Sequence, residues 1–379
     1  PLAFIPVYVG YEKLVEGASY LSELRGGDKK RESLLDLARN LKLIRQDFGR
    51  VQVNIGEPIR LDEWLATYTG SAEHRLPSLC HDVMAHINDA ATANPVNLVA
   101  AVTLARPRQS VEAEVLVSQV TLYQELLRRL HGPGKLTHSH MSGEEVVDYV
   151  LSLGMVSRET EPFGDVYYHD NFTSVLMTWY LNNVAHLFAL PAFVASLLVR
   201  RRRAISRDRL HQTVATIFPY LAAELSGRFD ARNLDQTIDV LGALGLVDID
   251  GQKIAPPQHG SQQHQALHLL AGLVMQTLER MFIVISLLRR EQQTIDSLRH
   301  QAQLIARKIS RIYGINAPEF SDQRLFDQFI ARLVDEGVLR EDASQQLVHD
   351  PIVDEVLRAA ESVIAPEIRY AVLSELRPR

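Results

Sequence analysis

The sequence is poor in the residues that build several kinds of site. It has one cysteine, Cys80, in 379 residues. That excludes an intrachain disulfide, fits a reducing compartment and leaves no thiolate set for a structural zinc. Cys80 itself reads as a small buried apolar residue. Positive charge is also short: 40 Lys and Arg stand against 46 Asp and Glu, a net charge of −6. No global basic field is present to gather a nucleic-acid backbone, so no nucleic-acid partner is expected. The opening run, Leu2–Val9, is too short for a secretory signal and lacks its basic start. What remains, 46% hydrophobic and 23% charged residues, is the composition of a folded chain with room for two or three cores.

Leu2–Val9 is apolar throughout and reads as a strand buried on both faces in a parallel sheet. Its neighbours are expected from sequence preceding Pro1. A strand over Phe4–Gly10, a Gly- and charge-rich loop over Gly17–Arg31, a helix over Glu32–Phe48 and a strand over Arg50–Ile55 make a β-α-β unit. Such a unit is a right-handed crossover at the edge of an α/β sheet. Residues 1–60 are assigned to an α/β domain. Residues 61–379 are assigned to a mainly α-helical region, with divisions near 131–143 and 255–262.

Three helices in that region end alike. Val147–Leu151 runs to Gly154, Ile238–Leu241 to Gly245, and Phe329–Leu333 to Gly337. Each glycine suits a left-handed helix stop, and a short strand and a turn follow. Asp250-Gly251 is a hairpin signal in the second copy. Helix, Gly, strand and hairpin together are winged-helix-like. DNA binding is one reading of that pattern; packing within a helical domain is the other, and the acidic balance favours it.

Arg25, Lys29, Lys30 and Arg31 sit in a glycine-containing loop entering a helix, a place that suits a phosphate; the alternative is a solvated charged loop. Asn171–Val199 has no charged residue and is long enough to span a bilayer. Asn182, Asn183, His186 and Pro191 interrupt it, so two helices broken at Pro191 are expected instead. The following Arg200, Arg201, Arg202 and Arg203 would meet anionic lipid head groups from the interface; the alternative is a buried helix with a solvated basic end. His264 and His268 are spaced i, i+4 on a helix without a third ligand, and no metal site is assigned.

Several segments resemble the bacterial membrane-associated glycerol-3-phosphate acyltransferases. Ile5-Pro6-Val7-Tyr8-Val9-Gly10-Tyr11-Glu12 is similar to a strand block of the glycerolipid acyltransferases. Leu24-Arg25-Gly26, Lys29-Lys30-Arg31 and Val53-Asn54-Ile55-Gly56-Glu57-Pro58 follow at family-like distances. Trp179-Tyr180-Leu181-Asn182-Asn183 with His186 and Pro191 resembles a Tyr-Arg-Asn-Asn element of the family, with Leu181 in place of Arg. Tyr313–Phe320 resembles a C-terminal run. The resemblance covers nearly the whole chain.

It implies acyl transfer from acyl-CoA or acyl carrier protein to the sn-1 hydroxyl of glycerol 3-phosphate at the cytoplasmic face of the bacterial inner membrane. No cofactor is implied, the acyl donor being a substrate. The implied general base is a His held by an Asp five residues on, in a block that precedes the Ile-Pro-Val strand and so lies before Pro1. No catalytic residue is therefore assigned in this chain. The four cations at 25–31 become candidates for the phosphate of substrate or CoA, and Pro6 becomes part of the active-site floor. His349 and Asp354 repeat the His-x4-Asp spacing, but Asp350 as N-cap, Pro351 at the first helical position and acids in the first turn explain that run as a helix start. A non-catalytic helical scaffold and a winged-helix nucleic-acid binder are the alternatives.

Overall fold

The computed structural model describes residues 2–14, 47–106, 109–224, 231–289, 293–315 and 317–376. The chain forms two compact units that meet in sequence at Val184 and Ala185, with residues 105–108 belonging to the second.

Among the described residues, the first unit opens with four short strands: β1 (Ala3–Phe4), β2 (Val7–Tyr11), β3 (Val51–Ile55) and β4 (Ile59–Arg60). β2 pairs with β3 and β1 with β4, both antiparallel, with Val7 opposite Ile55 and Phe4 opposite Ile59. The parallel crossover expected over 1–60 is therefore corrected. The apolar run suggested burial on both faces, but along β2 burial alternates with exposure, the pattern of an antiparallel strand with one covered face. The helix expected over Glu32–Phe48 lies almost wholly outside the described residues.

Helices α1 (Leu61–Thr67) and α2 (Arg75–Asp89) follow. Cys80 is exposed on α2, contrary to expectation; the buried side of that helix is taken by Leu79 and Ala85.

Next comes a unit built from α3 (Pro95–Leu104), β5 (Ser110–Glu112), α4 (Ala113–His131), α5 (Gly143–Ser152), β6 (Ser157–Glu161) and β7 (Gly164–Tyr168), then α6 (Asn171–Asn182). The sheet order is β5-β7-β6. Nine of the ten residues of α3 are buried, so it serves as the core helix. Leu116, Val120, Tyr123 and Leu127 of α4 and Val146, Val147 and Val150 of α5 are also buried. A reciprocal capping box starts α5: Ser142 Oγ accepts from Glu145 N, and Glu145 Oε2 accepts from Ser142 N.

The second unit repeats this order. It contains α7 (Ala185–Leu198), β8 (Ile205–Ser206), α8 (Arg207–Glu224), α9 (Ala231–Ala243), β9 (Asp248–Asp250) and β10 (Lys253–Ala255), with sheet order β8-β10-β9. A third pass has α10 (Gln262–Leu288), α11 (Ile295–Tyr313), α12 (Gln323–Asp335), β11 (Leu339–Glu341) and β12 (Leu347–His349). Here the first strand shrinks to one bond, Leu347 N to Gln293 O at 2.7 Å. Helices α13 (Ile352–Glu361) and α14 (Pro366–Glu375) end the fold.

The three glycines that end α5, α9 and α12, Gly154, Gly245 and Gly337, share φ of +69°. After the first two, the next residue's N–H returns to the carbonyl five positions back: Met155 to Val150 and Leu246 to Leu241. That six-to-one bond is a Schellman stop.

The apolar stretch from 171 breaks at Asn183–Val184, not at Pro191, which lies inside α7. Almost every side chain around that proline is buried, and packing holds the helix through it. α10, at 27 residues, is long and apolar enough to cross a membrane, but it runs through the core of the second unit with Phe282, Ile283, Val284 and Leu287 buried.

Candidate functional site at the strand pair

The strand pair β2–β3 has two unlike faces, and both follow from period-two alternation. Val7, Val9 and Tyr11 stand opposite Ile55, Val53 and Val51. All six are exposed, by 38% to 73%, and form one apolar surface. Tyr8, Gly10 and Glu12 point the other way and are buried. Pro6, also buried, precedes β2, where its missing N–H breaks no ladder bond. The Pro6 carbonyl accepts from Gly56 N at 2.9 Å, which ties the Ile-Pro-Val run to the Gly-Glu-Pro run. Gly56 is needed there: a Cβ would lie 2.9 Å from the His86 carbonyl oxygen and 3.3 Å from Pro6 Cβ.

The covered face is fastened by polar side chains. Asn94 Nδ2 donates to Tyr11 O at 3.0 Å, and Asn54 Nδ2 to Ala90 O at 2.9 Å. Lys13 Nζ donates to Leu153 O, and Leu14 N to the Tyr180 hydroxyl, both at 2.8 Å. Asn97 Nδ2 donates to Tyr180 O at 2.8 Å. The tyrosine of the Tyr-Leu-Asn-Asn element thus reaches the end of the strand block. At the centre is Glu12, bonded to His138, Tyr149 and Arg50.

A cleft of about 780 Å³ opens beside the end of β3, lined by Ile55, Glu57, His86, Thr92, His131 and Lys135 among others. His86 Nδ1 lies 3.0 Å from Glu57 O. Lys135 Nζ donates to Asp89 O at the end of α2. Burial pushes the Lys135 ammonium down, against the opposing pull of Asp89. The cleft mixes both signs of charge and joins the exposed apolar surface through Val53 and Ile55.

Arg25, Lys29, Lys30 and Arg31 lie outside the described residues. Arg200, Arg202 and Arg203 are exposed beyond α7. Arg201 turns back, its Nε donating to Leu197 O at 2.9 Å, and burial followed by Arg209 lowers its pKa. His264 Nε2 lies 3.0 Å from Val199 O. Burial, then Arg200, lowers the pKa of His268. Among the described residues, no three His, Cys, Asp or Glu side chains gather to hold a metal ion. His349 ends β12, while Asp354 lies on α13 with Arg289 Nε at 3.9 Å. Asp350 accepts from Ile352 N at 2.9 Å, so that run starts a helix, one residue later than expected.

Sequence reading missed Glu12, His138 and Tyr149 as a group, since 126 residues or more separate the acid from its two side-chain partners. The only local signal was an acid directly after an apolar strand.

A profile of the family described as "Glycerol-3-phosphate acyltransferase C-terminal region" matches residues 20–342. The chain belongs to this family. A glycerol-3-phosphate acyltransferase of Pseudomonas aeruginosa (strain UCBPP-PA14) is 39% identical over 98% of this chain and 47% of its own length. Similar enzymes of Ectopseudomonas mendocina (strain ymp) and Pseudomonas putida (strain KT2440) are 37% and 36% identical, each over 98% of this chain and 48% of their own length. The chain spans about half the length of these relatives. The family match starts at residue 20, after the Ile-Pro-Val strand, and covers both later segments on which the family resemblance rests, Trp179–Pro191 and Tyr313–Phe320.

Proposed function

We propose that the chain is the C-terminal portion of a glycerol-3-phosphate 1-O-acyltransferase and supplies one wall of its acyl-transfer site. In this reading the general base lies in preceding sequence. It deprotonates the sn-1 hydroxyl of glycerol 3-phosphate, which attacks the thioester of acyl-CoA or acyl carrier protein; the bond to sulfur breaks and the thiol leaves. Pro6 is assigned to the floor of the site, and the cations of the 25–31 segment to a phosphate of substrate or CoA.

The observation that carries the reading is the uncovered apolar face of β2–β3. Six cross-strand apolar side chains facing water form the kind of patch that marks an interaction surface. Its match in this family is the sheet of the preceding acyltransferase portion, with β1–β4 at the edge.

The helical passes we read as winged helices, from their helix-strand-helix-helix-strand-strand order and first-third-second sheets. Their third helices present Glu144, Glu145 and Asp148 in the first copy and Asp235 and Asp239 in the second, all exposed. Such surfaces repel a phosphate backbone, which favours a packing role. Exposed Arg200, Arg202 and Arg203 are assigned to anionic lipid at the cytoplasmic face of the inner membrane, at about 1 kcal/mol each before salt screening.

The test compares the isolated chain with the longer protein. Glycerol 3-phosphate acylation is expected only from the longer one, with slower amide exchange over Val7–Tyr11 and Val51–Ile55. Turnover by the isolated chain that is abolished in His349→Ala would sink the reading. For the membrane contact, replacing the three exposed arginines by Gln is expected to weaken co-sedimentation with anionic vesicles and flatten its salt dependence. Equal binding at low salt would refute that contact.

A further inference from the structure

Beneath the strand pair is a buried acid with a demanding set of partners. Glu12 follows β2 directly and is 2% exposed. Its Oε1 lies 2.7 Å from His138 Nε2. Its Oε2 accepts from the Tyr149 hydroxyl and from Arg50 N, both at 2.6 Å. Its own N–H donates to Arg50 O at 3.2 Å. Gly49 fits this packing because it has φ of +66° and no side chain; a Cβ there would fall 2.5 Å from Glu12 Oε2.

A carboxylate removed from water is costly unless donors replace the lost solvent. Here three replace it, from three parts of the first unit: the approach to β3, the loop after α4, and α5. Burial, reinforced by Glu12, pushes the Tyr149 hydroxyl pKa up, so it remains a donor. Both Glu12 and His138 are shut from water, and neither lines the cleft beside β3. That separates them from chemistry on a bound substrate. Their reach is mechanical: Glu12 joins the ends of β2 and β3 to the helices behind them.

We infer that Glu12 is a positioning residue for acyl transfer, holding β2 and β3 against the loop and helix that carry His138 and Tyr149, so that the wall beginning at Pro6 keeps its place. The inference rests on the acyltransferase reading above. A wall displaced by about 1 Å is enough to cost on the order of a hundredfold in rate. The loss should fall on kcat, with KM for both substrates within about threefold, because the misplacement acts on alignment in the transition state.

The experiment uses the longer protein. Glu12→Leu removes both carboxylate oxygens, and with them all three bonds, at similar size. Glu12→Gln is the conservative variant: its amide oxygen still accepts from Tyr149 and Arg50, and its NH2 can donate to His138 Nε2 in the tautomer that leaves that nitrogen without a proton. Tyr149→Phe removes one hydroxyl at the far end. Expected are a kcat per folded molecule at least about tenfold lower for Glu12→Leu, recovery of most activity in Glu12→Gln, and an intermediate loss in Tyr149→Phe. Amide exchange over Val7–Tyr11 should quicken in the same order.

Full kcat in folded Glu12→Leu would overturn the inference. Should that variant fail to fold, full kcat with unchanged exchange in Tyr149→Phe would overturn it equally. Unchanged exchange with normal acylation condemns the positioning role alone. An unsubstituted longer protein that does not acylate glycerol 3-phosphate condemns the reading beneath it as well.

Discussion

Among single residues, Glu279 shows how this fold tolerates charge inside a helix that would otherwise pass for a membrane span. It sits on α10 beside Arg280 and is buried. Burial pushes its carboxyl from 4.5 up to about 7, against the opposing pull of Arg280 and Arg200, while Glu367 adds to the rise. Arg280 is engaged elsewhere, as the ion-pair partner of Glu224. Below the unfolded value both states of the protein hold the proton. As pH rises from 4.5 to 7 the unfolded chain ionises and the folded one resists, so stability falls across that window. Glu279→Gln removes this dependence. The variant should be more stable than the parent above pH 7, by roughly 3 kcal/mol at most, with the difference vanishing toward pH 4.5. Denaturant melts at three pH values decide it, and a gap that does not change with pH rules it out.

At the level of elements, the repeated glycine stops make a matched set. Gly154, Gly245 and Gly337 have the same φ, and a Cβ at Gly154 would meet nothing within 4 Å. Replacement by Ala there isolates the backbone term, about 1 kcal/mol. Chemical denaturation of Gly154→Ala and Gly337→Ala should give similar losses in that range, and a loss near zero would deny the left-handed stop.

These stops were legible in the sequence, because a helix end is written locally, in a Gly after an apolar period. So were most of the helices. The first strands of the repeats were not: β5 and β8 have three and two residues and exist through pairing with β7 and β10, more than forty residues on. The orientation of β2 against β3 was hidden for the same reason, since an apolar run reports burial and not direction. Pro191 misled because a proline marks a weak point in an isolated helix, and burial on all sides overrode it.

For the molecule as a whole, the uncovered face of β2–β3 is the largest consequence of the fold for handling the isolated chain. Exposed Val and Ile side chains on a paired strand invite another surface. The isolated chain is expected to associate as its concentration rises, and Val9→Lys with Val53→Lys to suppress that association. Both positions are already in water, so stability should change by no more than about 0.5 kcal/mol. Sedimentation velocity over a tenfold range of concentration tests it; a monomer throughout would mean that this face is covered by some other route. Of the site, the sequence displayed the strand block, the Gly-Glu-Pro turn and Tyr180, all contiguous motifs. It could not display the Glu12 cluster, whose members meet only after the helices pack.

That long separation also sets an order of events. Roughly forty residues lie between β2 and β3, and closing so long a span costs about 3 kcal/mol of chain entropy before the first cross-strand bond forms. The bonds that hold the pair in place come from partners 126, 137 and 166 positions away, His138, Tyr149 and Tyr180. Residues 2–14 therefore leave the ribosome ahead of every group that anchors them. The bonds to His138, Tyr149 and Tyr180 therefore close only after α4, α5 and α6 have been made and packed, so the fastening of β2 to the rest of the first unit is a late event in folding.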